Sequence, residues 1–427
     1  MESMILSIAV GIVSGMVSGL LPGVGNLLTM IMLIPIISQW APLEIFVCFT
    51  VLVQVSQFMG SLTTIFTRIP GELSSLPMIQ ELNNVHNKDL PQLISSTAVG
   101  SAVGAGIAIT ISLLLLDWLQ WFSYFLRTEI LFGLLIIAVI LIFKHATGSL
   151  LEKILLGCAG AMLGLIGYNP VVEQNILTFG NPQLMSGLPS SIVLICLFAF
   201  PQLYQLRDLK LLAHVDKIRY TFPTKILAAM PLSSIIGFVG GLMPGLATLL
   251  SSQLAYNWAK TRTQDPIYRI AASETANNAG AISQMIPMLI LGLPILTSEA
   301  LALGLMESKG YMPSLLTGIE FLQASIIPLL VSVGVSVLFA WPLALITIQF
   351  VLLNMRMVRI IAVSLLCLAI FYQAFLDHQL LFVTATFVVL SVLGWFMRQR
   401  DTTLMVFLFL IIDRLIETSS RLIQLYF

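Results

Sequence analysis

Charge is what this sequence has least of. Asp, Glu, Lys and Arg make up 9% of its 427 residues, against about 25% in an ordinary soluble domain, too few to cover a water-facing surface. Basic and acidic residues balance at 20 each, so no net charge draws the chain onto a polyanion and nucleic acid is not expected as a partner. Cysteine is scarce too. Cys48, Cys158, Cys196 and Cys367 each sit inside an apolar run, far apart in sequence. They lack the spacing of a metal site or redox pair and read as small buried hydrophobes. The histidines, His86, His145, His214 and His378, fall in loops or at span ends and make no ligand cluster. There is no G-x-x-x-x-G-K-[ST] loop and no soluble stretch to hold a nucleotide domain. Ser14-Gly15 and Ser18-Gly19 hint at an intramembrane nucleophile, but no histidine lies at matching depth to activate one. The chain therefore reads as no enzyme, with no catalytic residue, metal or cofactor.

What is abundant is apolar. Hydrophobic residues reach 58% and the mean hydropathy is +0.99, so lipid must be the solvent for most of the chain. The first residues lack a basic stretch and an Ala-x-Ala cleavage site, so 4–21 read as a retained membrane segment. Runs of roughly 20 apolar residues can span a bilayer as helices. Such runs lie at 93–116, 128–147, 149–167 and 188–206, and again at 320–345, 355–375, 379–397 and 403–425. Before each set comes an apolar region broken by Gly, Pro, Ser, Thr and Asn, at 4–82 and 226–307.

The two broken regions share a pattern. Residues 15–23 read GMVSGLLPG and residues 237–245 read GFVGGLMPG, an offset of 222. A second break, Ile69-Pro70-Gly71 against Leu293-Pro294-Ile295, recurs at an offset of 224. Lys and Arg concentrate on the cytoplasmic side of membrane proteins. Arg207, Lys210, Lys217, Arg219 and Lys225 thus place 207–225 inside, while 168–187, with Glu173 and no Lys or Arg, lies outside. Walking from there, each span of the first half runs opposite to its partner. The expected fold is all-α and polytopic: two inverted transmembrane repeats, 1–206 and 226–427, joined by a cytoplasmic linker at 207–225, with both termini outside. Parity requires 4–82 to cross an odd net number of times. The length of 4–39 and its central Pro22-Gly23 suggest two half-helices that enter and return on one side, and a crossing at 44–67 then completes the parity.

Broken helices at matching places in inverted repeats point to a binding site near the midplane of a secondary transporter. A half-helix N-terminus offers free N–H groups to an anion, and a C-terminus offers carbonyls to a cation. Around the breaks lie Gly23, Asn26, Ser61, Thr63, Thr64, Arg68 and Gly71 in the first half, and Gly245, Thr248, Asn277 and Asn278 in the second. These are the expected substrate ligands. Glu274, Thr297 and Ser298 are the expected ligands of a coupling ion, Na⁺ or H⁺. Each has a blander reading. Gly15, Gly19, Gly237 and Gly241 also suit close helix packing. Arg68 either grips an anion or snorkels to the membrane edge. Glu274 either serves an ion or caps a helix starting beside it. A channel or an intramembrane enzyme are further alternatives.

Five pieces in order, GLLPGVGN at 19–26, GSLTTIFTRIPG at 60–71, GLMPG at 241–245, SETANNAG at 273–280 and LILGLP at 289–294, resemble the large membrane subunit of the tripartite tricarboxylate transporters, the TctA type. The resemblance runs from about residue 10 to the C-terminus. It implies an inner-membrane, ion-driven symporter of small carboxylates that works with a small membrane subunit and a periplasmic solute-binding protein. Arg68, Glu72 and Pro294-Ile295 depart from the family pattern, which has small residues at the first two positions and Pro-Gly at the third. A single-component anion carrier is the other form such a chain could take.

The charge walk is directly testable. Single cysteines near Lys217 and near Glu173, in a cysteine-free chain, should react with an impermeant thiol reagent from opposite faces of the membrane. Labelling of both from the same face would refute the orientation.

Overall fold

The computed structural model describes residues 2–20, 25–67, 72–82, 84–115, 128–146, 148–169, 174–189, 192–193, 196–197, 224–242, 247–294, 296–351, 380–400 and 402–426, with positions 364, 368, 371 and 375. Among the described residues the protein is all-α apart from one small hairpin. Helices α1 (Glu2–Leu20), α2 (Gly25–Ile37), α3 (Pro42–Thr67), α4 (Leu76–Leu82) and α5 (Leu90–Leu114) come first. Then follow α6 (Thr128–His145), α7 (Leu150–Gly164) and strands β1 (Gly167–Asn169) and β2 (Gln174–Ile176), which pair antiparallel with Tyr168 opposite Asn175. The second half holds α8 (Met230–Gly241), α9 (Ala247–Lys260), α10 (Pro266–Ser283), α11 (Met285–Leu291), α12 (Thr297–Ser308) and α13 (Leu315–Leu338). It ends with α14 (Ala340–Val351), α15 (Leu380–Phe396) and α16 (Thr403–Tyr426).

Local chemistry sets several of these boundaries. Asp265 caps α10 by accepting from the Ile267 amide at 2.9 Å, with Pro266 in the first turn, where a missing N–H costs nothing. Gly292 ends α11 at φ +63°, a left-handed conformation that glycine adopts without a Cβ clash. Ser149 accepts from Glu152 N at the start of α7, and Ser314 from Thr317 N at the start of α13.

Helix bounds recur at the spacing of the sequence pattern. Pro42 and Pro266 open α3 and α10 at the offset that separates Pro70 from Pro294, and Thr67 and Leu291 end α3 and α11 at the same offset. Leu114 and Leu338 likewise end α5 and α13, while Gly25 and Ala247 open α2 and α9 at the offset of the two Pro-Gly motifs. The two central helices are α3, buried along Ile45–Thr67, and α10, buried along Arg269–Ser283.

Glycines bring neighbouring helices against these two. A Cβ on Gly15 would lie 2.6 Å from Leu52 O and one on Gly19 2.6 Å from Ser56 O, both on α3. Gly237 and Gly241 press as closely on Ala276 and Gly280 of α10. Ala276 and Gly280 are the positions equivalent to Leu52 and Ser56 under the offset of the second break, so the contacts recur with the helices. All four glycines therefore serve close packing.

The span expectations need three corrections, and the reading of the cysteines needs one. Among the described residues four helices are long and apolar enough to cross a membrane: Ser3–Leu20, Pro42–Thr67, Asn87–Leu114 and Leu315–Leu338. At 19 residues and about 1.5 Å per residue, α1 is too long for a half-helix. The span expected at 320–345 is two helices that part at Phe339, because Pro342 lacks an N–H and its ring clashes with the preceding turn. In α16 only Leu404–Asp413 is an apolar stretch, and Asp413, Glu417 and Arg421 follow at helical spacing. Cys158 is exposed on α7 while Cys48 and Cys196 are buried, since one face of a short apolar helix at the edge of the bundle points outward. The spans expected at 188–206 and 355–375, and all but the end of the 207–225 linker, lie largely or wholly outside the described residues.

Exposed apolar side chains such as Leu114, Ile140, Ile327, Leu381 and Val389 ring the helices, a surface suited to lipid. Gly237→Val should destabilise the folded protein by about 1–3 kcal/mol through overpacking. Gly106→Ala, where an added Cβ meets nothing within 4 Å, should be neutral or stabilising. Thermal melts of the two purified variants check both.

Candidate functional site

α3 and α10 carry polar side chains into the interior where lipid helices usually carry none. Gln54, Ser61, Glu274, Asn277 and Asn278 are all at most 2% exposed, and α5 adds Ser101, 1% exposed. Such groups survive burial only when they satisfy one another or a ligand.

Glu274 is the hub. Ser61 Oγ donates to its Oε2 at 2.6 Å and Ser101 Oγ to its Oε1 at 3.0 Å. Asn278 Nδ2 adds 2.9 Å to the same Oε1, besides contacts to Glu274 O and Ser101 Oγ, both at 3.0 Å. Its two hydrogens are thus shared among three acceptors. Gln54 Nε2 donates to Asn278 Oδ1 at 2.8 Å. Donors from α3, α5 and α10 converge on one carboxylate, and among the described residues it has no basic side chain within ion-pair distance. A carboxylate buried without a basic partner takes up a proton or a cation.

Several atoms at this crossing have nothing to bind. Gln54 Oε1, Thr63 Oγ1, and both Oδ1 and Nδ2 of Asn277 are buried without a hydrogen-bond partner. Asn277 offers its amide to Glu274 only as a weak contact outside good hydrogen-bond geometry. Unpaired buried polar atoms cost about 1–3 kcal/mol each, so Gln54 Oε1 and the Asn277 amide, beside Glu274, mark a place suited to a ligand.

The expected site residues divide accordingly. Ser61, Asn278 and Glu274 come together by direct hydrogen bonds, with Asn277 beside them. Thr63 is fully buried on α3, and Thr64 donates to Gly60 O. Asn26 accepts from Ser18 Oγ at 3.0 Å next to the first Pro-Gly break, which gives that serine a structural partner. Thr248 sits in the first turn of α9. Thr297 and Ser298 open α12, buried one break further on, and among the described residues no hydrogen bond ties them to Glu274. Gly23, Arg68, Gly71 and Gly245 lie outside the described residues. The capping alternative for Glu274 is corrected: α10 begins at Pro266, two turns earlier.

Gln54 and Ser101 were missed by motif reading. Ser101 hides in the small-residue run GSAVGAG of an otherwise simple span. Gln54 had a signal, because its offset to Asn278 equals that of Pro70 to Pro294. A separate cavity of about 270 Å³ lies between the Gly167–Tyr168 strand, Met185–Leu188, α12 and Asp413 of α16. It shares no lining residue with the Glu274 cluster.

The partners separate two roles. Ser61→Ala removes a charge-assisted donor and should cost about 1.5–3 kcal/mol of stability. Asn277→Ala removes an amide with no hydrogen bond of good geometry and should cost clearly less than Ser61→Ala. Equal losses in thermal melts of the two variants would give Asn277 a structural role instead.

Comparison with known proteins agrees with this architecture. A protein of Agrobacterium vitis, described as an uncharacterized 52.8 kDa protein in the TAR-I ttuC' 3' region, is 25% identical over 320 residues. The match covers 71% of this chain and 64% of that protein's length, so the chain spans just under two thirds of its relative. No solved structure matches. The sequence model described as the Tripartite tricarboxylate transporter TctA family matches residues 5–409. An all-α membrane protein with this match across nearly its whole length belongs to the tripartite tricarboxylate transporter TctA family.

Proposed function

We propose that the chain is the large permease subunit of a tripartite secondary transporter that takes up small carboxylates, of tricarboxylate or dicarboxylate type, down an Na⁺ or H⁺ gradient. The observation that carries this reading is the buried Glu274 carboxylate, held by Ser61, Ser101 and Asn278, with Gln54 Oε1 and the Asn277 amide uncommitted to good hydrogen bonds beside it. Protonation or Na⁺ binding there would neutralise the carboxylate, and a bound Na⁺ would draw on Gln54 Oε1 and Asn277 Oδ1. The anionic substrate would meet the backbone N–H groups of the Pro22-Gly23 and Pro244-Gly245 turns, with Arg68 supplying positive charge. Asn26 stands immediately beyond the first of these turns and α9 begins just after the second.

The inverted-repeat reading has further support in the recurring helix bounds, in the recurring glycine contacts, and in one pair above all. Gln54 and Asn278 occupy equivalent positions, at an offset of 224, and hydrogen-bond to each other. Equivalent residues of two repeats touch only where a two-fold axis passes between them. That axis therefore runs beside Glu274, where a midplane site belongs. The orientation read from the Lys and Arg walk puts both termini outside the inner membrane and the turn at 261–265 in the cytoplasm. The partners implied are a small membrane subunit and a periplasmic solute-binding protein delivering the carboxylate.

Reconstitution tests the reading. Proteoliposomes with the chain and its two partners, free of ATP, should accumulate a labelled tricarboxylate only under an imposed Na⁺ or pH gradient, and Glu274→Gln should abolish accumulation. A strict ATP requirement, or downhill flux alone as in a channel, would overturn it. Equal uptake without the partner proteins would replace the tripartite arrangement by a single-component carrier.

A further inference from the structure

A second polar network ties the two halves together at one end of the α3–α10 crossing. Arg269 Nη1 donates to Glu81 Oε1 at 2.6 Å, with side chains 8% and 4% exposed. Tyr256 Oη donates to the same oxygen at 2.9 Å, and Asn84 Nδ2 to Oε2 at 3.2 Å. The guanidinium also binds Thr263 O at 2.8 Å and Gln264 Oε1 at 2.7 Å. The ion pair is thus buried and densely hydrogen-bonded, and it joins α4 of the first half to α9 and α10 of the second.

The repeat spacing gives each member a counterpart at the opposite end. Under the offset that relates Gln54 to Asn278, Arg269 corresponds to Ile45 and Glu81 to Leu305. Under the offset of the Pro-Gly motifs, Tyr256 corresponds to Ile34. All three counterparts are apolar and belong to one core cluster, Ile45 fully buried and the other two packed against it. The same helix pairs make the contacts, α4 with α10 at one end and α12 with α3 at the other. α9 lies along α10, whereas its counterpart α2 touches α3 lightly. The α4–α10 and α12–α3 contacts are alike, the α9 and α2 contacts differ in extent, and the chemistry of the two ends is opposite.

We propose that the Glu81–Arg269–Tyr256 network is the cytoplasmic gate of the transport path and the apolar packing around Ile34, Ile45 and Leu305 its outer counterpart. The assignment of sides rests on the transport reading and orientation above. A buried ion pair holds only while every partner is in register, because removing one partner strands the other charge without solvent. Once water enters, both ions are hydrated and separation becomes easy. The network therefore has two good states, dry and paired or wet and parted. The apolar end instead trades contact area continuously with its opening. In the structure the polar gate is closed.

Two reporter cysteines in a cysteine-free full-length chain test this. Gln57, buried and bonded to Ser74 at 2.9 Å, lies on α3 one turn from Gln54 toward the polar gate. Thr50, 2% exposed, lies between the crossing and the apolar end. With Gln57→Cys, an impermeant maleimide applied from the cytoplasmic face should react on the order of tenfold faster when Glu81→Gln or Arg269→Gln is added. With Thr50→Cys, reaction from the outer face should slow, as it must if the two ends open alternately. The exchange Glu81→Arg with Arg269→Glu should restore part of both rates. Tyr256→Phe, which removes one hydroxyl and keeps the ion pair, should give a smaller shift of the same sign even if the charge variants misfold. Faster reaction at both positions would mean general loosening and would overturn the gate, as would unchanged rates in monodisperse protein. Because labelling needs no substrate, unchanged labelling with intact uptake sinks the gate alone, whereas shifted labelling without carboxylate uptake sinks only the transport reading.

Discussion

A carboxylate buried without a basic partner is the constraint on which the rest of this structure depends. Glu274 sits at the middle of a membrane protein's interior, and leaving its charge bare there would cost more than the fold could recover. Three helices therefore bring it hydroxyl and amide donors, from Ser61, Ser101 and Asn278. Those donors must arrive at hydrogen-bonding distance, so α3, α5 and α10 must pack closely. Small residues make that possible: an added Cβ on Gly100 would fall 2.8 Å from Thr275 Oγ1, and Gly104 presses on the Thr275 backbone.

The same closeness explains the outer pairs. α1 and α8 lie against α3 and α10 through glycines at equivalent places, holding the two central helices from either side. α1 ends at Leu20 and α8 at Gly241, so each Pro-Gly motif follows a closely packed helix in the sequence. A site built this way is positioned by helix packing, which is more exact than positioning by loops. Beside Glu274, Gln54 Oε1 and the Asn277 amide remain without a good hydrogen bond. Other hydroxyls of α3 are spent: Thr50, Ser56, Thr64 and Thr67 return theirs to carbonyls three or four residues earlier.

The two ends of the crossing divide the remaining tasks. Similar helix contacts are sealed by an ion pair at one end and by aliphatic side chains at the other. The carboxylate on α10 has a threonine, Thr50, 224 residues earlier on α3. One central helix supplies the ionisable group, and the other supplies neutral donors and packing.

Sequence alone determined the solvent, the helical class and the duplicated breaks, because composition and spacing are one-dimensional properties that lipid burial and backbone chemistry read directly. It also singled out Glu274, Asn277, Asn278 and Ser61, since polar residues in an apolar run need a reason to be there. It overestimated the simple spans, because an apolar run does not reveal a stop such as the one before Pro342 or the polar second half of α16. Only the tertiary structure decided which polar residues meet. Gln54, Ser101, Glu81 and Arg269 looked unremarkable in isolation, and their partners lie 173 to 224 residues away. Hydrogen bonds act over about 3 Å, and only the packing of α3, α5 and α10 brings such distant residues within that reach.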